Sequence, residues 1–131
     1  MQSAIVFAST KVKVKDIERS LAKNGMKVMG IHSDLDQKMR EDVLRKFKNR
    51  HFQILVATDI ISRGIDIEDI DLIVNYDVPH DPEDYVHRIG RTARAQSDGV
   101  ALTFINAKEK RMFEQIERFL NAKVFRIPNP L

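Results

Sequence analysis

Short apolar runs alternate along the chain with longer segments in which apolar residues return at helical spacing. Five of the short runs are rich in β-branched residues, which predicts buried strands at 3–8, 26–31, 53–57, 72–75 and 99–105. Because helical segments separate these strands, the pattern predicts right-handed crossovers and a mostly parallel sheet with helices on both faces. The predicted fold class is therefore α/β, as one domain over residues 1–131.

Four amphipathic segments predict the helices. They lie at 12–23, from Asp34 or Asp36 to about 49, at 81–94 and at 109–120. The pair Asn24-Gly25 ends the first of them, and the tail at 124–131 is compatible with an edge strand that its prolines end. The residues predicted to face the core are Met39, Val43, Leu44 and Phe47 in the second helix and Met112, Ile116 and Leu120 in the fourth.

Polar pairs follow four of the predicted strands. These pairs are Ser9-Thr10, His32-Ser33, Thr58-Asp59 and Tyr76-Asp77. Because the carboxyl ends of parallel strands meet at one edge of a sheet, where ligands of open α/β folds bind, this edge is the predicted functional site. Turns also require polar residues, so the alignment of four pairs carries more weight than any one of them.

Charge changes the picture more than overall composition does. Residues 1–50 contain 12 Lys and Arg against 6 Asp and Glu, whereas residues 51–131 contain 10 against 13, within a formal net charge of +3. This asymmetry predicts a polyanion across one side of the protein. The chain has no cysteine, which excludes disulfides and makes a reducing, cytoplasmic location the expectation. No apolar run approaches the roughly 20 residues that cross a bilayer, so no membrane partner is expected.

The segment 81–94 carries residues that helix stability does not explain. Gly90 costs about 1 kcal/mol relative to Ala in a helix interior, and His87, Arg91 and Arg94 share one face of the predicted helix. One interpretation is that the arginines only complement the negative end of the helix dipole. The other is that two guanidinium groups are presented to a phosphate, which their planar fork fits.

The loop after the third strand contains Arg63-Gly64, in which Gly64 permits a close approach of the backbone to a ligand. Asp66 follows, a carboxylate of the kind that accepts hydrogen bonds from ribose hydroxyls. A loop glycine beside an ordinary cap is the alternative.

The sequence has no Walker loop, no GxGxxG, no nucleophile elbow and no metal-ligand spacing among its histidines. With 7% aromatic residues, contacts to backbone phosphates are expected rather than base stacking.

Four stretches together resemble the second RecA-like lobe of DEAD-box RNA helicases, in order and over nearly the whole chain. They are Ala4-Ile-Val-Phe-Ala-Ser-Thr10, Gln37-Lys-Met-Arg40, Ala57-Thr-Asp-Ile-Ile-Ser-Arg-Gly-Ile-Asp66 and Tyr85-Val-His-Arg-Ile-Gly-Arg-Thr-Ala-Arg94. The last two are highly specific, and the first two are weak alone. The resemblance implies a RecA-like fold and, in the complete protein, an ATP-dependent RNA helicase that hydrolyses ATP.

The resemblance also implies residue roles. Arg91 and Arg94 match arginine fingers that reach the γ-phosphate of an ATP held mainly by another lobe. Asp66, with Gly64, matches the contact to the nucleotide. The other matched positions hold the RNA backbone, at Thr10, Arg40 and Thr58, or couple the helix to carboxylates of the partner lobe, at His87 and Arg88.

The family's ATP-cradling loop and its Mg²⁺-binding Asp-Glu-Ala-Asp box belong to the first lobe and do not occur in this sequence. ATP and Mg²⁺ are therefore expected to be held mainly by an N-terminal lobe of the same protein, and this chain to be a monomeric, excised domain. Ser33 and Ala93 stand where the family usually has glycine, which leaves open how closely RNA approaches at Ser33. The alternatives are a lobe of a DNA translocase or repair helicase, and a binding module without catalysis.

Overall fold

The computed structural model describes residues 3–59, 70–89 and 100–120. Strands and helices alternate there as β1 (Ala4–Phe7), α1 (Lys11–Lys23), β2 (Val28–Ile31), α2 (Gln37–Lys48), β3 (Ile54–Ala57), β4 (Leu72–Asn75), α3 (Pro82–Ile89), β5 (Val100–Thr103) and α4 (Lys110–Leu120). Each predicted strand is confirmed, β4 with the predicted bounds and the other four with shorter ends. The predicted helix at 81–94 is confirmed over Pro82–Ile89, and its remainder and the tail at 124–131 lie outside the described residues.

The five strands form one parallel sheet in the order β2-β3-β1-β4-β5. Neighbouring side chains of β3 point to opposite faces, so Leu55 joins one buried cluster and Val56 another. The first cluster includes Val43 and Phe47 of α2, and the second includes Val14 of α1. The two helices therefore cover opposite faces, as the sequence predicted for a RecA-like α/β domain.

Side-chain caps fix where α1 and α2 begin. The hydroxyl of Thr10 accepts a hydrogen bond from the backbone N–H of Lys13 at 3.2 Å, and a carboxylate oxygen of Asp36 accepts one from Met39 at 2.8 Å. Of the two predicted caps for α2, Asp36 is thus the one used. Gly25, just past α1, adopts a φ of 84°, a left-handed conformation that glycine adopts without steric cost.

The prediction that Met39 faces the core is wrong. Met39 is 49% exposed, whereas Val43 and Phe47 are buried and Leu44 packs against the same cluster. The cause is position along α2: its first turn lies at the edge of the sheet, where no strand remains to be covered. In α4, Ile116 is buried as predicted.

The fourth helix buries more than the sequence predicted. Met112 and Leu120 pack against the apolar cluster of α3 and α4 as expected, and Phe113 and Glu117 are buried as well.

Within the ranges described above, no helix is long and apolar enough to cross a membrane.

Candidate functional site

A buried group of charges lies where β1, β3 and β4 end. The side chain of Arg88, from α3, has no exposed surface, and its guanidinium carbon lies 5.6 Å from the centre of the Phe7 ring. Its Nε donates to Oδ1 of Asp59 at 2.5 Å, and its Nη2 donates to Oδ2 at 2.9 Å. Its Nη1 donates to the backbone carbonyl of Asp77 at 2.8 Å. This bidentate geometry is the strong form of an arginine–carboxylate pair.

Asp77 connects the same arginine to the end of β1. Ser9 donates to its carboxylate from the backbone N–H at 2.9 Å and from the hydroxyl at 2.8 Å, and Nζ of Lys13 lies 3.1 Å away. Burial alone would raise the pKa of Asp77, but the Ser9 hydrogen bonds, Lys13 and the charge of Arg88 outweigh it and hold that pKa below its ordinary value. We call Arg88, Asp59, Asp77, Ser9 and Lys13 the Arg88 cluster.

Strand register assembles the Arg88 cluster. Phe7 pairs with Ala57 on one side and with Asn75 on the other, so the three strands end level with one another. The residues two positions further along each strand therefore lie side by side, and they are Ser9, Asp59 and Asp77. The predicted convergence of polar strand ends at one edge of the sheet is confirmed for β1, β3 and β4.

The low pKa of Asp77 predicts how the free energy of unfolding depends on pH. Because the pKa is depressed in the folded state, the ionised carboxylate stabilises the fold above its unfolded pKa of about 3.9, and this contribution is lost as pH falls through the folded pKa. Asp77→Asn should therefore be less stable than the wild type at pH 7, by a margin that narrows as the pH falls below about 4. Urea unfolding at pH 7 and pH 3 measures the margin, and a constant margin would contradict the assignment.

Arg88 was predicted to couple α3 to carboxylates of a partner lobe. In the structure its guanidinium is instead held by Asp59 and Asp77 of its own lobe, with no surface left for a direct contact elsewhere. Coupling through Arg88 stays a prediction. The sequence offered one signal of this burial, because Arg88 lies three residues after buried Tyr85 on the inner face of α3.

A second contact holds the same face of α3, one turn before Arg88. The Tyr85 and Phe113 rings pack edge to face, with centroids 5.5 Å apart. Burial raises the pKa of Tyr85, and the nearby charge of Glu117 acts in the same direction. His87 lies between Tyr85 and Arg88 in the sequence and is half-buried. Its Nδ1 atom is buried with no hydrogen-bond partner in the described ranges. Its role in coupling to another lobe stays a prediction.

The three residues predicted to hold RNA all lie at the carboxyl edge of the sheet, and the side chains of two of them have a local contact. Thr10 caps α1, and Nε of Arg40 donates to the carbonyl of Leu35 at 2.9 Å. Thr58 is 8% exposed, and its hydroxyl oxygen is buried without a partner among the described residues. The structure places these residues at one edge, and their contacts with RNA remain predictions.

The predicted nucleotide contacts, Gly64 and Asp66, and both predicted fingers, Arg91 and Arg94, lie outside the described residues. The described part of α3 ends at Ile89, one residue after the arginine that anchors it. In the portions of the chain that the structure describes, no three His, Asp or Glu side chains are grouped so that they could hold a metal ion. No step is therefore assigned to Mg²⁺ on these residues.

Comparison with known proteins defines the class. The model of the helicase conserved C-terminal domain matches residues 1–96. The DEAD-box ATP-dependent RNA helicase CshA of Bacillus subtilis is 47% identical over 127 residues, which are 97% of this chain and 26% of CshA. The chain therefore belongs to the family of helicase C-terminal domains. Its relatives place it among the DEAD-box RNA helicases, and it spans about a quarter of the length of the curated relatives that it matches.

Solved structures agree with this assignment. A DEAD-box protein from the hyperthermophile Methanococcus jannaschii superposes with a TM-score of 0.87 at 43% identity, covering 93% of this chain and 34% of that one. The C-terminal domain of the DEAD-box protein Dbp5 superposes with a TM-score of 0.83 at 31% identity, covering 92% of this chain and 71% of that one. Dbp5 of S. cerevisiae bound to RNA and ADP BeF3 gives a TM-score of 0.85 at 30% identity, covering 94% and 33%. The RecA-like fold is thereby confirmed.

Proposed function

We propose that this domain, over residues 1–131, acts as the C-terminal lobe of an ATP-dependent RNA helicase. It would supply Arg91 and Arg94 as fingers to ATP and Mg²⁺ held mainly by an N-terminal lobe, with Gly64 and Asp66 on the nucleotide side. It would also hold the RNA backbone, without sequence preference, so that closing of the two lobes unwinds or remodels the RNA. A cytoplasmic location and a monomeric domain are part of the same proposal.

The single observation that carries this proposal is the Arg88 cluster. Asp59 directly follows Thr58, a predicted RNA contact, and Arg88 lies three residues before Arg91. The bidentate pair of Arg88 with Asp59 therefore ties the end of β3 to α3, the helix that precedes the proposed fingers. A rigid connection of this kind would let RNA binding and phosphate contact depend on each other.

The chemistry assigned to this chain is electrostatic. In ATP hydrolysis, the phosphoryl group that is transferred carries negative charge on its oxygens in the transition state. Guanidinium groups positioned beforehand stabilise that charge without the reorganisation that water would need. The described residues contribute the position: the Arg88 cluster and the contact of Tyr85 with Phe113 both hold the inner face of α3.

Two other functions were open from the sequence. A lobe of a DNA translocase shares the fold, and the names of the relatives, which are RNA helicases, favour RNA. A binding module without catalysis is the second, and it fits the described residues equally well, since the proposed fingers are outside them.

One experiment separates these functions. The purified 131-residue chain should show no ATP turnover above a blank, because it supplies fingers without the loop that cradles the phosphates. The complete protein with both lobes should hydrolyse ATP, and RNA should stimulate it more than DNA of the same sequence. Turnover by the isolated chain would overturn the division of labour between the lobes. Equal stimulation by DNA would favour the translocase, and no turnover by the complete protein would favour the binding module.

A further inference from the structure

Two lysines of α1 converge on one carboxylate at the surface. Lys11 and Lys15 lie one helical turn apart, and their Nζ atoms are 2.9 Å and 2.5 Å from the two oxygens of Asp34. The three side chains are between 40% and 48% exposed. Hydrogen bonds from Lys15 and then Lys11 lower the pKa of Asp34 to about 2. We call these three residues the lysine clamp.

The lysine clamp lies between the elements that carry two predicted RNA contacts. Thr10, which caps α1, directly precedes Lys11. On the other side, Arg40 donates to the carbonyl of Leu35, the residue after Asp34. The backbone N–H of Asp34 donates to Nδ1 of buried His32 at 3.3 Å, which holds this turn against the end of β2.

The charges of the clamp favour an anion. Two ammonium groups face one carboxylate, so the group keeps a net charge of +1, in a part of the chain that is itself basic. A bridge that served only to tie α1 to the next turn would need one lysine, and the second is surplus to it. Exposed ion pairs of this kind contribute little to stability, so a phosphate can compete with Asp34 for the lysines. Lysine binds phosphate as a compact point charge.

We propose that Lys11 and Lys15 form a binding site for a backbone phosphate of the bound RNA, and that Asp34 holds the two lysines together and competes with that phosphate. This inference rests on the proposed function, because it extends the RNA path of this lobe from Thr10 towards Arg40. The site recognises phosphate charge and not bases, so its affinity is independent of RNA sequence.

Salt dependence of RNA binding tests the lysines. In the complete protein with a non-hydrolysable ATP analogue, the affinity for fluorescein-labelled oligouridine is measured from about 50 to 200 mM KCl. Lys11→Ala with Lys15→Ala should reduce the slope of log K against log[salt] by about 0.7, because one phosphate contact is lost, and affinity near 100 mM by roughly fivefold. The matched control is Lys23→Ala with Lys27→Ala, which removes the same charge at the opposite edge of the sheet and should leave the slope unchanged.

Two further variants separate charge and competition from packing. Lys11→Arg with Lys15→Arg should keep the wild-type slope, because both positive charges remain. Asp34→Asn should tighten binding by roughly two- to fivefold, because the competing charge is removed. The inference is overturned if the lysine double variant has the same slope as its control, or if Asp34→Asn binds RNA more weakly than the wild type. In either case the proposed function stands, as long as the wild-type protein binds RNA. A wild-type protein that does not bind RNA overturns both.

Discussion

Replacing Arg91 by alanine in the complete protein is expected to lower ATP hydrolysis by about 10³- to 10⁵-fold and to leave RNA affinity near the wild-type value. The reason is that a finger acts on charge that develops only in the transition state, so its removal affects the rate and not the binding of substrates. Single-turnover hydrolysis and equilibrium binding of labelled RNA, on the same preparations, measure the two effects.

The structure supplies the controls for this prediction. Arg111 is exposed on α4, and Arg111→Ala removes the same charge from the lobe without altering hydrolysis. Arg91→Lys keeps the charge and loses the planar fork, so it should recover only part of the rate. Equal losses of hydrolysis and RNA affinity in Arg91→Ala would show that Arg91 maintains structure, and that the phosphate is met by other groups.

The order of strands and helices was predictable because burial on two faces leaves a strong sequence signal. Strands of a parallel sheet that helices cover on both sides become nearly continuous apolar runs, and β3 is Ile-Leu-Val-Ala. The edge that would carry the site followed from the same alternation, since polar pairs follow four of the five predicted strands. Met39 was wrongly predicted to face the core because helical periodicity does not tell how far the sheet extends beneath a helix.

The Arg88 cluster could not be predicted from local patterns. Arg88 contacts Asp77, 11 residues away, and Asp59, 29 residues away, through the register of three strands. Periodicity gives the face on which a residue lies and not the strand end that it meets. The family resemblance implied that Arg88 couples α3 to carboxylates of another lobe. The structure shows that this lobe supplies two carboxylates of its own.

Removing Arg88 should destabilise this domain strongly. Arg88→Met keeps much of the buried volume and leaves Asp59 and Asp77 without their shared cation. Removing one partner of a buried ion pair costs about 3–5 kcal/mol, because an uncompensated charge stays inside. Asp59 is 24% exposed and can be hydrated, so the lower end of that range, about 3 kcal/mol, is expected. Urea unfolding of the domain measures the change.

Two comparisons make the prediction specific to the buried position. Arg19 pairs with Asp16 on the exposed side of α1, with side chains 77% and 65% exposed, and Arg19→Met should change the free energy of unfolding by less than about 1 kcal/mol. Combining Arg88→Met with Asp59→Asn should restore part of the lost stability, because the negative charge that faced Arg88 is removed from residue 59. If Arg88→Met is no more costly than Arg19→Met, the cluster does not anchor α3, and the contact of Tyr85 with Phe113 is left to hold the helix that precedes the proposed fingers.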